Sequence, residues 1–202
     1  MVFRYAHTHC GTNGDRFGLE ERHSLLELGC GEGRDARALL NQGLQLDATD
    51  ISPEAIRFCR DRDPEHAERY FLLDCVNGET DRKYDFIFAV AVLHMLVADS
   101  HRAAFYSFIR NHLSENGSAL VCTMGDGTIQ MQSDPDEAYS LQQRRHGATG
   151  EAMLLPSTSC RMVLWEVFFR EIADAGLEIM ESGLTEAPPD FPQMMYAVMR
   201  RK

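Results

Sequence analysis

No apolar stretch in this chain approaches the ~20 residues that a membrane-spanning helix needs. The opening residues, Met1-Val2-Phe3-Arg4-Tyr5-Ala6-His7, lack the charged-then-apolar layout of a secretion signal. A cytoplasmic protein is the expectation. No two of the six cysteines, at 10, 30, 59, 75, 122 and 160, stand as Cys-x-x-Cys, which excludes a zinc ribbon and a thioredoxin-type motif. Buried free thiols in a reducing compartment follow. Positive charge is scarce: 20 Lys and Arg against 31 Asp and Glu leave a formal net charge of −11. An acidic surface repels nucleic acid and anionic lipid, so neither is expected as a partner. Repeats and low-complexity tracts are missing too. What is there is 202 residues, 44% hydrophobic and 25% charged, enough for one domain over 1–202 with its own core.

Short apolar runs alternate with helical patterns. Residues 25–28 read as a buried strand, 34–42 as a helix stopped by Gly43, and 44–50 as a second strand. Ser52-Pro53-Glu54 opens the next helix: a capping hydroxyl, a preset φ and an acid near the dipole. Residues 70–73 and 86–90 give two more strands, 101–113 a helix, and Asn116-Gly117 a turn into a strand at 118–123. Strands alternating with helices mean an α/β, doubly wound, mostly parallel sheet. The tail predicts a helix over 161–175, then strands over 177–184 and 195–200 whose short connection makes them antiparallel. Seven strands are expected, one of them reversed. Residues 125–160 are too long for a plain connection and read as a lid, with a short helix from Asp134 through Arg145.

The informative string is Glu27-Leu28-Gly29-Cys30-Gly31-Glu32-Gly33-Arg34. It follows a strand and opens a helix, the context in which a glycine motif binds something. Gly29, Gly31 and Gly33 allow sharp turns and close approach of a ligand, and the helix start aims N–H groups at an anion. Asp50 ends the second strand, where a carboxylate accepts from ribose hydroxyls, and Asp74 ends the third, where it accepts from an adenine amino group. Glu27 suits an ammonium. Taken singly, the glycines also fit a tight turn and the two aspartates ordinary loop caps. A nicotinamide dinucleotide wants Gly-x-Gly-x-x-Gly, and counting from Gly29 the third position is Arg34.

This set resembles the class I S-adenosylmethionine-dependent methyltransferases over residues 24–124, with wording close to small-molecule members, including the tellurite-resistance type. The resemblance implies a Rossmann-like methyltransferase fold with a closing antiparallel hairpin. It implies S-adenosylmethionine as cofactor and S-adenosylhomocysteine as product. Glu27, Gly29, Cys30, Gly31, Gly33, Asp50, Ile51, Asp74, Cys75, Ala89 and Val90 would bind the cofactor. Tyr84-Asp85-Phe86-Ile87-Phe88-Ala89-Val90 leading into His94 matches the family's fourth-strand motif. The implied function is methyl transfer to a small-molecule nucleophile by in-line displacement. The alternatives are a non-catalytic S-adenosylmethionine-binding regulator and a nicotinamide-dependent oxidoreductase.

His94 is the candidate catalytic base, its ordinary pKa of ~6.5 suiting proton removal near neutrality; the other reading is a histidine merely packed at a helix start. Arg144 and Arg145 form with His146 a basic cluster for a substrate anion, or else answer Asp134, Asp136 and Glu137 on one helix face. Met131 and Tyr139, with Met153, Leu154 and Leu155, wall an apolar substrate pocket or anchor the lid. His7, His9 and Cys10 are too cramped for a metal site, and no metal is expected. Residues 1–23 read as a short cap, with Tyr5 or Phe17 against the cofactor, or else as a disordered leader; a full cap domain is not expected. A monomer or homodimer is the expected state.

Overall fold

The computed structural model describes residues 23–136, 141–145, 152–156, 159–185 and 193–202, with 141–145 and 152–156 described by backbone only. Strand β1 (Leu25–Leu28) leads to helix α1 (Arg34–Leu40), then β2 (Leu46–Asp50), α2 (Pro53–Arg62), a 3-10 turn (Pro64–Arg69) and β3 (Tyr70–Leu72). Next come β4 (Tyr84–Val90), a short 3-10 turn (Leu93–Met95), α3 (Asp99–His112) and β5 (Leu113–Met124). Four short strands follow: β6 (Met131–Gln132), β7 (Leu141–Arg145), β8 (Ala152–Pro156) and β9 (Arg161–Met162). Helix α4 (Trp165–Asp174), β10 (Leu177–Leu184) and β11 (Met194–Arg201) complete the order.

The main sheet has seven strands in the order β10-β11-β5-β4-β1-β2-β3. β11 runs antiparallel to both its neighbours and the other pairs are parallel. The doubly wound sheet with one reversed strand is therefore as the sequence pattern has it. Alternation along the strands feeds two cores. Leu25, Phe86 and Phe88 pack with Leu39, Ile56 and Cys59 beneath α1 and α2. Leu26, Ile87 and Ala89 pack with Phe105, Ile109, Phe168 and Ile172 beneath α3 and α4. Each buried Leu, Ile or Phe among them contributes roughly 1.5–3 kcal/mol by leaving water. Ser52 caps α2, its hydroxyl accepting the Ala55 N–H at 3.2 Å.

Three local expectations are corrected. No helix runs to Arg145: Leu141–Arg145 is a strand antiparallel to Ala152–Pro156. The connecting sequence holds Gly147 and Gly150, and the facing run Met153-Leu154-Leu155 favours a strand pair over a helix. The last helix starts at Trp165 instead of 161, because Arg161 and Met162 pair with Gln132 and Met131. β5 begins at Leu113, before Asn116-Gly117, and absorbs the difference as a register shift opposite Tyr84 and Phe86. Among the described residues no helix is long and apolar enough to cross a membrane, and no group of three His, Cys, Asp or Glu is placed to hold a metal ion. The cap segment 1–22, with Tyr5, His7, His9, Cys10 and Phe17, lies outside the described residues.

Candidate functional site

β1 pairs with β2 on one side and β4 on the other, so the strand order reverses between β4 and β1. The crevice beyond such a reversal is where open α/β sheets receive ligands. The chain leaving β1 turns there at Gly29 (φ 72°), Gly31 (φ 54°) and Gly33 (φ 69°). A Cβ on Gly29 would stand 2.4 Å from the Val92 Cγ2, and one on Gly33 2.8 Å from the Cys59 Sγ. At Gly31 it would meet nothing within 4 Å. Gly29 and Gly33 are thus demanded by their neighbours, while Gly31 borders free space.

A cleft of about 210 Å³ opens beside this loop, lined by Glu27, Gly29, Cys30, Glu32, Arg34, Asp35, Val90 and Ala91. Glu27 is 4% exposed and its Oε2 has no hydrogen-bond partner among the described residues. Burial pushes the Glu27 carboxyl up, the nearby Asp35 and Asp50 add to it, and the Ala36 N–H only partly opposes them; its pKa reaches about 8. A buried carboxyl with an unclaimed oxygen suits a cation.

Asp50 accepts the Gly31 N–H at 2.9 Å through Oδ2 and the Ser52 N–H at 2.9 Å through Oδ1. Asp74 accepts the Val76 N–H and the Asn77 side-chain amide, each at 2.8 Å. Partial burial would raise the Asp74 carboxyl, but Asn77 and the N–H groups of Val76 and Asn77 outweigh it and hold it below the ordinary value. Both carboxylates first organise their own loops and keep further lone pairs for a ligand. Ile51 is 66% exposed directly after Asp50, and Cys75 is half-buried after Asp74, its thiol pushed up to about 12 by burial and Asp74. Burial and Glu27 drive the Cys30 thiol far above its ordinary range, so it is no nucleophile.

The Ala89 side chain is fully buried against the α3 and α4 core, because strand alternation turns it away from the cleft. The side chains of Val90 and the next residue, Ala91, line the cleft. Ala91 holds φ 61°, which side-chain-bearing residues rarely adopt, and donates its N–H to the Cys122 carbonyl at 2.9 Å. Sequence reasoning missed Ala91, Glu32, Arg34 and Asp35. The buried Asp35 in the first turn of α1 also counters the anion site expected there.

His94 sits in the turn after β4. Burial, with the Arg102 charge behind it, lowers its pKa, and its Nδ1 is buried with no hydrogen-bond partner among the described residues. Exposed Met95, Ile129 and Met131 lie on the turn and on the segment after β5. Tyr139 and the side chains of Arg144 and Arg145 lie outside the described residues; the strand at 141–145 removes the helix face on which the two arginines would have met Asp134, Asp136 and Glu137.

Residues 26–119 match the family model described as a methyltransferase domain. Malonyl-[acyl-carrier protein] O-methyltransferase 2 of Ilyobacter polytropus is 27% identical over 130 residues, 60% of this chain and 49% of that protein. Malonyl-[acyl-carrier protein] O-methyltransferase of a Paenibacillus species is 28% identical over 161 residues, 73% of this chain and 55% of that protein. The chain thus spans about half the length of the curated relatives it matches. A S-adenosylmethionine-dependent methyltransferase from Clostridium acetobutylicum has a similar fold, with TM-score 0.66 at 16% identity, covering 88% of this chain and 83% of that one. So does the glycopeptide N-methyltransferase MtfA complexed with S-adenosylmethionine, with TM-score 0.63 at 15% identity over 89% and 87% of the two chains.

Proposed function

We propose that this chain, whose residues 26–119 match a methyltransferase domain model and whose main sheet has seven strands, is a class I methyltransferase that transfers a methyl group from S-adenosylmethionine to a small or carrier-borne acceptor. The observation that carries the reading is the buried, unclaimed Glu27 Oε2 beside a glycine loop with free space at Gly31. The residues present fit the cofactor. Glu27 takes its ammonium, Asp50 its ribose, and Asp74 with the Cys75 backbone its adenine, while Ile51 covers the ring. Cys30, Gly29, Gly31 and Val90 shape the cleft, and Gly33 lets α1 start close behind.

S-adenosylmethionine supplies a methyl already activated on a sulfonium. The chain's own task is approach, alignment and proton removal. His94 is neutral near pH 7, so one ring nitrogen is free to take the acceptor's proton. Met95, Ile129 and Met131 offer an apolar wall to the acceptor, with Tyr139, Arg144 and Arg145 completing it when residues 125–160 act as a lid. Residues 1–23 serve as a cap over the cofactor. The whole of 1–202 works as one methyltransferase domain, as monomer or homodimer, in the cytoplasm; the free state of Cys30, Cys59, Cys75, Cys122 and Cys160 supports a reducing compartment. Nucleic acid is a poor acceptor for a chain of net charge −11.

Calorimetric titration with S-adenosylmethionine, S-adenosylhomocysteine and NAD tests this, followed by S-adenosylhomocysteine release with a malonyl thioester and a panel of phenols and amines. Both sulfur nucleotides should bind wild type, and Glu27→Gln should weaken them. Binding of NAD alone sinks the reading.

A further inference from the structure

The turn that carries His94 and the residues just after it are held by side chains from three separate elements. Arg102 of α3 donates through Nη1 to the Leu93 carbonyl at 2.9 Å and reaches the Leu96 carbonyl at 3.5 Å. The Val97 carbonyl accepts from the Gln132 Nε2 of β6 at 3.1 Å and from the Arg161 Nη1 of β9 at 2.8 Å. Arg161 also pairs with Asp99 at 2.6 Å. Arg102 is 1% exposed, and its Nε and Nη2 form a two-pronged bridge to both Glu171 oxygens on α4 at 2.7 Å.

A desolvated guanidinium is an uneconomical way to join two helices, because an apolar pair of similar volume does so as well or better. What an apolar pair lacks is a planar fork that grips Glu171 on one edge and a turn carbonyl on the other. Gln132 and Arg161 meanwhile tie Val97, two residues beyond the turn, to both ends of residues 131–162. We infer that Arg102, oriented by Glu171, is a positioning residue that fixes the His94 turn against β6 and β9, so that the ring and the segment flanking the acceptor keep one geometry. This rests on reading His94 as the residue that faces the acceptor. The charged and titratable groups around the turn are Arg102, Tyr106 and Asp99 of α3, Glu171 of α4 and Arg161 of β9.

The test uses the full chain without cofactor, so it does not depend on turnover. Amide exchange is read at Met95 and Leu96, whose N–H groups bond to the Val92 and Leu93 carbonyls at 2.9 and 3.1 Å, and the His94 ring is titrated by NMR. Arg102→Lys keeps the charge and loses the fork. Arg102→Met with Glu171→Met removes the pair without stranding a buried charge. Both should cut protection of the two turn amides about tenfold or more while β4 amides stay protected. The double variant should also move the His94 pKa up by about 0.5 unit or more. Unchanged turn protection in Arg102→Lys, or protection lost evenly through α3 and α4 with His94 unmoved, overturns the positioning role. Titrating S-adenosylmethionine into the same samples addresses the methyltransferase reading separately: failure of wild type to bind it would end that reading and leave the exchange result standing.

Discussion

Asp50 holds Gly31: one carboxylate oxygen takes the Gly31 N–H at 2.9 Å while the other takes the Ser52 N–H at the cap of α2. One side chain at the end of β2 therefore fixes both the glycine loop and the next helix. Hydrogen bonds to a charged group contribute ~1.5–3 kcal/mol when well shielded, and Asp50 is only partly buried. Asp50→Ala should cost about 2 kcal/mol, or roughly 4–8 °C in Tm for a chain of this size. Asp50→Asn, which keeps one acceptor, should lose about half as much. The alanine variant should also weaken S-adenosylmethionine at least ~10-fold, worth ~1.4 kcal/mol. Thermal melts and calorimetry on the two variants decide it, and an unaltered Tm for Asp50→Ala would dismiss the loop-holding role.

Glu27 makes stability and binding depend on pH in opposite senses. Its pKa rises from 4.5 in the unfolded chain to about 8 in the folded one. Between those values the folded state holds a proton that the unfolded state has released, so this group's contribution to stability falls as pH climbs from about 4.5 to about 8. Glu27→Gln should therefore out-melt wild type by a margin that widens from pH 5.5 to pH 8.5, about the two sides of that window. A cationic ligand needs the carboxylate, so binding at pH 7 should expel about one proton. Calorimetry in two buffers of different ionisation enthalpy counts it. Equal proton counts in wild type and Glu27→Gln would remove Glu27 from the ammonium site.

The glycine loop, the acids at successive strand ends and the reversed final hairpin were legible because each rests on local chemistry: left-handed φ, capping and short connections. The motif names a strand end without saying which side chains face the cleft: alternation buries Ala89 in the core and turns Val90 to the cleft, while Ala91 reaches it only because its φ of 61° breaks the extended chain after β4. Arg161 and Met162 looked helical by periodicity; their partners Gln132 and Met131 lie about 30 residues earlier, beyond the reach of any local window. Arg102 is not singled out by the helical pattern over 101–113. Its burial depends on Glu171, 69 residues away, which no spacing rule connects to it.

His94 should behave as a base that is already deprotonated at neutral pH. Burial and the Arg102 charge lower its pKa, so charging the ring costs more than usual. The kcat/KM profile should lose activity only on the acid side, below the ordinary histidine value of ~6.5, and stay level through neutrality. His94→Ala should lower kcat by about 10²–10⁴ and leave the cofactor Kd unchanged. Turnover of the variant equal to wild type would reduce His94 to packing.

Two of the loop glycines, Gly33 and Gly31, should separate folding from binding. At Gly33 an added methyl would press on the Cys59 Sγ at 2.8 Å and the Tyr70 ring at 3.2 Å, both in the core beneath α2, with φ at 69°. Gly33→Ala should thus destabilise the fold by about 1–3 kcal/mol through overpacking, in addition to left-handed strain. At Gly31 the same methyl meets nothing within 4 Å, so Gly31→Ala should cost only the strain, ~1–2 kcal/mol. Its methyl would enter the free space that the cofactor reading fills, so S-adenosylmethionine affinity should fall by ~10-fold or more, out of proportion to the small change in Tm. The comparison needs only melting curves and binding isotherms for the two variants. If Gly31→Ala binds as wild type does, the space beside Gly31 is not where the cofactor lies, and Glu27 must be facing some other cation.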